Sequence, residues 1–236
     1  MSRPVRGRRR SSKDRDEAPE TGRREQRKQR TRRALMDAAL DLMQGEQSFN
    51  SLSLREVARN AGVVPTAFYR HFRDMDELGL ALVEEALRAL RTMMREARSA
   101  PLPTSHLIKR SVKTYMNYAE ENRHYFQFLA KERYGSSRAL RMSIRQGTML
   151  FTSELATDLA RFPGLNRLTI DELQMMSGLI VNVMVNVTEL MLDAPLDDEE
   201  EHLALQRLAE EQMRLIFLGM GQWKPKADRK TRSSDS

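Results

Sequence analysis

Apolar residues recur along this chain at helical intervals from Leu35 almost to its end. Between Arg27 and Met43, Leu35, Ala38, Ala39 and Leu42 fall at i, i+3, i+4 and i+7, one stripe of a helix. Gly45 to Asn50 interrupts that stripe. Ser53 then offers a cap oxygen with Glu56 three residues on, a pattern that opens a second helix reaching about Ala61. Gly62-Val63-Val64 reads as a turn. Pro65 suits the first turn of a third helix, to about Phe72, because its missing N–H would have no partner there. Asp74 and Glu77 repeat the cap pair ahead of a long helix that keeps period through Leu78, Leu82, Leu90 and Met94, until Pro101 and Pro103 stop it. Four more helical segments follow: 105–121, a short aromatic one over 122–133, a long one beyond Gly135 ending at Phe162-Pro163-Gly164, and one from Thr169 or Asp171 to about Leu192. After Pro195 the acidic run Asp197 to Glu201 complements the amino terminus of a last helix.

One segment contests an all-α reading. Val181 to Val187 alternates apolar and polar in β-branched residues, which alone reads as a strand. A lone strand would have no partner, and Leu179, Val183, Asn186 and Leu190 continue a helical face through it. The same stretch is too short in unbroken apolar residues to span a bilayer, which needs ~20. No membrane association is expected.

Charge sharpens the picture because it is local. The net charge is +7, yet residues 1–33 hold 14 Lys/Arg against 5 Asp/Glu, which leaves 26 against 28 for the rest. Residues 1–25 have almost nothing to bury and read as a disordered basic arm, and residues 224–236 as a polar tail. Cations concentrated in this way attract polyanions, and neutralising phosphates makes affinity salt-dependent. A merely solvated tail explains the same run equally well. The amino terminus has no apolar stretch behind its charges, so no signal peptide is read and a cytoplasmic location is expected. With no cysteine, and with His71, His106, His124 and His202 scattered, metal-ligand spacing is absent, as are a P-loop and a dinucleotide fingerprint. The chain is not expected to be an enzyme or to hold a metal or cofactor.

The second and third helices with their turn make a helix-turn-helix. Leu54, Val57, Ala58 and Ala61 face inward, Val63, Phe68 and Phe72 fill the core from the other side, and Gly62 takes the conformation a Cβ would strain. Thr66, Ala67, Tyr69 and Arg70 are then left bare on a short helix shaped for a major groove. Thr66 can hydrogen-bond a base edge, Ala67 can meet a thymine methyl and Arg70 can reach guanine or phosphate, while Tyr69 and His71 suit the backbone. An ordinary three-helix bundle would show the same periodicity.

Residues 31–78, from Thr31-Arg32-Arg33 through Leu54-Arg55-Glu56-Val57-Ala58-Arg59-Asn60-Ala61-Gly62-Val63 to Phe68-Tyr69-Arg70-His71-Phe72, resemble the TetR family of repressors. Within that family the runs Ser48 to Arg55 and Pro65 to Leu80 look like those of repressors of unsaturated fatty acid synthesis. The resemblance implies an all-α protein. A helix-turn-helix DNA-binding domain, residues 26–73, would be joined by a long helix to a ligand-binding and dimerisation domain, 74–223. It adds Thr31, Arg32, Ser53, Arg55 and Pro65 to the DNA-facing set, and double-stranded palindromic operator DNA as the partner of a homodimer. Met75 stands where many members carry a phosphate-touching lysine.

From residue 105 onward no motif reads as chemistry. By the resemblance, the last two long helices pair with their copies in a second subunit, and the helices before them surround a pocket for a small hydrophobic effector. A long-chain fatty acyl-CoA or acyl carrier protein thioester is the effector it implies. Tyr115, Phe126, Phe128, Leu129, Met149, Phe151 and Met184 are the candidate pocket residues, with Lys131, Arg133, Arg138 and Arg141 near its mouth for the polar part of the ligand. Plain core explains each apolar candidate singly. An efflux or other lipophile-responsive repressor, and a non-specific DNA coater using only the basic arm, are the rival readings.

Overall fold

A computed structural model describes residues 20–44, 47–99, 104–195 and 197–224. Among these residues there are nine α-helices and no strand: α1 Glu20–Leu42, α2 Leu54–Asn60, α3 Pro65–Phe68, α4 Met75–Ser99, α5 Thr104–Glu121, α6 Arg123–Glu132, α7 Arg138–Leu159, α8 Ile170–Asp193 and α9 Glu199–Gln222. A 3-10 turn, Phe49–Ser51, leads into α2. The all-α expectation holds, and Val181 to Val187 lies wholly inside α8, where the helical face overrides local strand propensity.

Local chemistry starts the helices where the cap pattern predicts. The Ser53 hydroxyl accepts the Glu56 N–H at 3.2 Å while the Glu56 carboxylate accepts the Ser53 N–H at 2.8 Å, and Thr169 and Glu172 make the same exchange before α8. Asp74 takes the Glu77 N–H at 2.8 Å ahead of α4. α1 departs from expectation: it begins at Glu20, so residues 20–25 belong to a helix and not to a disordered arm. Arg, Glu and Gln are strong helix formers, and once the apolar stripe further along is anchored the helix propagates back at little cost. The rest of the arm, residues 1–19, lies outside the described residues, as do Pro101, Pro103 and all of the tail after Lys224.

Packing does not respect a boundary at residue 73. One core cluster runs from Leu35, Ala39, Phe49, Val57, Phe68 and Phe72 of the amino-terminal helices into Leu78 and Leu82 of α4, Tyr125 and Phe128 of α6, and Leu140 and Ile144 of α7. Two further clusters fill the space among α4, α5, α8 and α9 and between α7, α8 and the end of α9. α8 is long and apolar enough to cross a bilayer by length and composition, with a mean hydropathy of 1.5, but Leu173, Met176, Val181, Val187 and Met191 are buried in these protein cores.

Candidate DNA-reading surface and effector cavity

At the reading head, Gly62 has φ +68°, the left-handed conformation that the turn requires. Val57, Ala58, Phe68 and Phe72 are buried, which orients the rest. Thr66, Tyr69 and Arg70 are exposed as expected, whereas Ala67 is half-buried, and α3 ends at Phe68 and not near Phe72, so Tyr69 and Arg70 lie in the turn that follows it. Tyr69 is 64% exposed. Ser53, Arg55, Pro65, Thr66 and Tyr69 border one shallow depression between the starts of α2 and α3. Thr31 spends its hydroxyl on the Arg27 carbonyl at 3.1 Å. Arg32 is held inward: its guanidinium donates to the His71 carbonyl at 3.0 Å and lies 4.3 Å from the centre of the Phe72 ring. It braces the end of the helix-turn-helix. Burial, and after it the positive charges of Arg32, Lys28 and Arg70, hold the His71 imidazole below its ordinary pKa. Met75 packs half-buried against the head's core.

Below the head a cavity of about 170 Å³ opens between α4, α5, α6, α7, α8 and α9. Of the expected residues, Tyr115, Phe126, Leu129, Phe151 and Met184 line it. Two do not. Phe128 points the other way from α6, 1% exposed, edge-on to Phe49 with ring centres 5.6 Å apart. Met149 sits on the outer side of α7, 64% exposed. Both errors come from reading residue type without knowing which side of a helix meets which neighbour. Sequence reasoning missed wall residues from α4, α5 and α9, among them Leu90, Met94, Ile108 and Met213. Their periodicity marks a buried stripe, and no sequence signal separates a stripe against core from a stripe against a void.

Polar groups in the wall are few and largely committed. Thr188 donates to the Met184 carbonyl at 2.7 Å, so the Tyr115 hydroxyl, 2.7 Å away, donates to Thr188. Burial pushes the Tyr115 phenol up to about 12. Arg133 and Glu189 both border the cavity and pair at 3.6 Å. The other expected mouth cations are elsewhere: Lys131 donates to the Met43 carbonyl at 3.0 Å, Arg141 to the carbonyls of Gly135 and Ser136 at 2.5 and 2.8 Å, and Arg138 is exposed. Leu87, Leu129 and Ile144 touch the cavity on one side and the head's core on the other.

A helix-turn-helix with a largely bare third helix, whose core is continuous with the wall of an apolar cavity, has the architecture of a DNA-binding regulator. The chain belongs to the TetR family: residues 35–82 match the description "Bacterial regulatory proteins, tetR family" and residues 103–219 the description "Tetracyclin repressor-like, C-terminal domain". Solved structures share the fold. The fatty acid degradation regulator FadR from Bacillus halodurans superposes with a TM-score of 0.62 at 18% identity, covering 82% of this chain and 96% of that one. A putative fatty acid metabolism regulator of Clostridium perfringens gives 0.61 at 14%, covering 76% and 96%. A transcriptional regulator from Rhodococcus sp. Rha1 gives 0.61 at 20%, covering 84% and 99%.

Proposed function

We propose that this chain is a homodimeric repressor that binds a palindromic operator through α3 and is tuned by a lipophilic effector in the cavity, a long-chain acyl thioester being the favoured class. The observation that carries the reading is the shared wall: Leu87, Leu129 and Ile144 cannot move to admit a ligand without disturbing the packing under the reading head. Thr66, Ala67 and Arg70 read base edges, while Ser53, Arg55, Pro65, Tyr69 and His71 lie toward the backbone. Dimerisation is supported by apolar side chains left in water along α8 and α9, with Leu179 50%, Leu215 72% and Leu218 68% exposed. Two-fold pairing there sets two reading heads ~34 Å apart.

Support for the acyl class is the nearly unbroken apolar wall with its adaptable Met94, Met184 and Met213, together with the likeness of the fold to two proteins named as fatty acid regulators. The cavity as it stands is close to the ~150 Å³ that holds a benzene-sized body, so a long chain enters only by displacing side chains. That displacement is what gives a ligand unequal affinity for DNA-competent and incompetent states. The same small volume, and the engagement of Lys131 and Arg141 in backbone contacts, favour the second reading of a compact uncharged lipophile as effector. Mass spectrometry of the ligand extracted from purified protein decides between them, with titration of hexadecanoyl-CoA against operator binding. Absence of both an acyl species and any effect of the thioester on operator binding would remove the acyl class and leave the regulator standing.

A further inference from the structure

α6 carries two stripes that serve different masters. Phe126, Leu129, Ala130 and Arg133, at i, i+3, i+4 and i+7, border the cavity. The other side meets the reading head: Phe128 against Phe49, Lys131 on the Met43 carbonyl, and Glu132 on the Phe49 N–H at 3.1 Å. Glu132 is the anomaly. It is 0% exposed, its second carboxylate oxygen is buried with no hydrogen-bond partner, and burial pushes its pKa upward. A buried carboxylate is costly unless fully paired. The chain nevertheless makes room for it, since a Cβ at Gly135 would lie 2.3 Å from that second oxygen. Packing alone would be served better by a leucine or methionine.

What the carboxylate holds explains its retention. The Phe49 N–H opens the 3-10 turn Phe49–Ser51, whose next residues are Leu52 and the Ser53 cap of α2. Phe49 itself is 1% exposed in the core that supports Phe68 of α3 and Phe72 just beyond it. A buried hydrogen bond from a backbone N–H to a side-chain carboxylate therefore ties the start of the helix-turn-helix to a helix whose opposite stripe forms the cavity wall.

We infer that Glu132 is a positioning residue for regulation: its hydrogen bond to the Phe49 N–H transmits displacement of α6, caused by occupancy of the cavity, to the reading head. The inference rests on the cavity being the effector site. Contacts through α4 also join the two regions, as do the hydrogen bonds from Lys131 to the Met43 carbonyl and from the Asn50 amide to the Ser136 hydroxyl; the Glu132 bond is the buried one of the three, directional and sensitive to shifts that apolar packing absorbs.

A test independent of the effector's identity uses a side chain as the occupant. Ala130→Phe fills the cavity from α6, and binding is measured to a duplex that the native protein selects from a random pool. A130F should change operator affinity by at least about fivefold, the scale of a modest coupling free energy, an effect that Glu132→Gln preserves and Glu132→Met reduces to under about twofold. Gln keeps the acceptor, whereas Met keeps the volume without it. An undiminished A130F effect in the Met background overturns the role of Glu132 alone, and a silent A130F in the Glu132 protein overturns the cavity reading with it. Should the Met variant fail to fold, hydrogen exchange answers with Glu132 intact: A130F should speed exchange at the Phe49 amide, and an unchanged rate overturns the inference.

Discussion

Phe126 and Phe128 are two residues apart on α6 and face opposite ways, so truncating each to alanine should have different consequences. Phe128 is 1% exposed and packs on Phe49, Leu140 and their neighbours beneath the reading head. Burying a phenyl ring removes ~200 Å² from water, or ~5 kcal/mol at ~25 cal/mol per Å². Measured Phe→Ala losses of ~3–5 kcal/mol agree with this. Phe128→Ala should therefore cost about 4 kcal/mol and, at ~2–4 °C per kcal/mol for a chain of this size, lower Tm by ~8–16 °C. Ligand affinity of the folded fraction should change little, because Phe128 does not border the cavity. Phe126 is 8% exposed and lines the cavity against Tyr115 and Tyr118, so Phe126→Ala should lose stability as well and also enlarge the cavity. The assay is urea unfolding at one fixed protein concentration, since stability of a dimer depends on it, beside titration of a fluorescent apolar probe. A Phe128→Ala protein that keeps its stability to within about 1 kcal/mol, or that alters probe binding as much as Phe126→Ala does, refutes the two-sided reading of α6.

Three further outcomes are expected. The folded-state pKa of Glu132 is raised above the ordinary 4.5, so its proton stabilises the fold fully below that value and the contribution is lost as pH rises through the folded value. Glu132→Gln should therefore raise Tm more at about pH 8 than at about pH 4, and a pH-independent difference would contradict the burial of the carboxyl. Thr169→Ala removes the cap of α8 and should cost about 1 kcal/mol in urea unfolding, with Glu172→Ala non-additive because the two hydrogen bonds are reciprocal. Gly178, mid-way along α8, would place a Cβ in open space in the single chain, where alanine would be better by about 1 kcal/mol, and the proposed dimer gives the glycine a reason if a second copy approaches closely there. Gly178→Leu should shift sedimentation from dimer toward monomer, and an unshifted dimer excludes that part of α8 from the contact.

Helix positions and starts were legible in the sequence because their causes are local. A Ser53–Glu56 or Thr169–Glu172 cap needs four residues to form, and the turn at Gly62 needs one backbone conformation. Legible too was the bare side of α3 and of the turn after it: with Phe68 and Phe72 committed to a core, Thr66 and Arg70 have nowhere to go but outward. Tertiary structure alone decided how the two sides of α6 are divided, because period 3.6 says that residues share a face and nothing about what that face meets. It placed Phe128 in the head's core and Met149 in water, drew Arg32 inward onto Phe72, and used Lys131 and Arg141 as backbone ligands. It also set Glu132 against Phe49, a contact 83 residues apart in sequence, as no local pattern could. Whether a buried stripe seals a core or borders a cavity depends on how several helices from distant parts of the chain fail to fill the space between them.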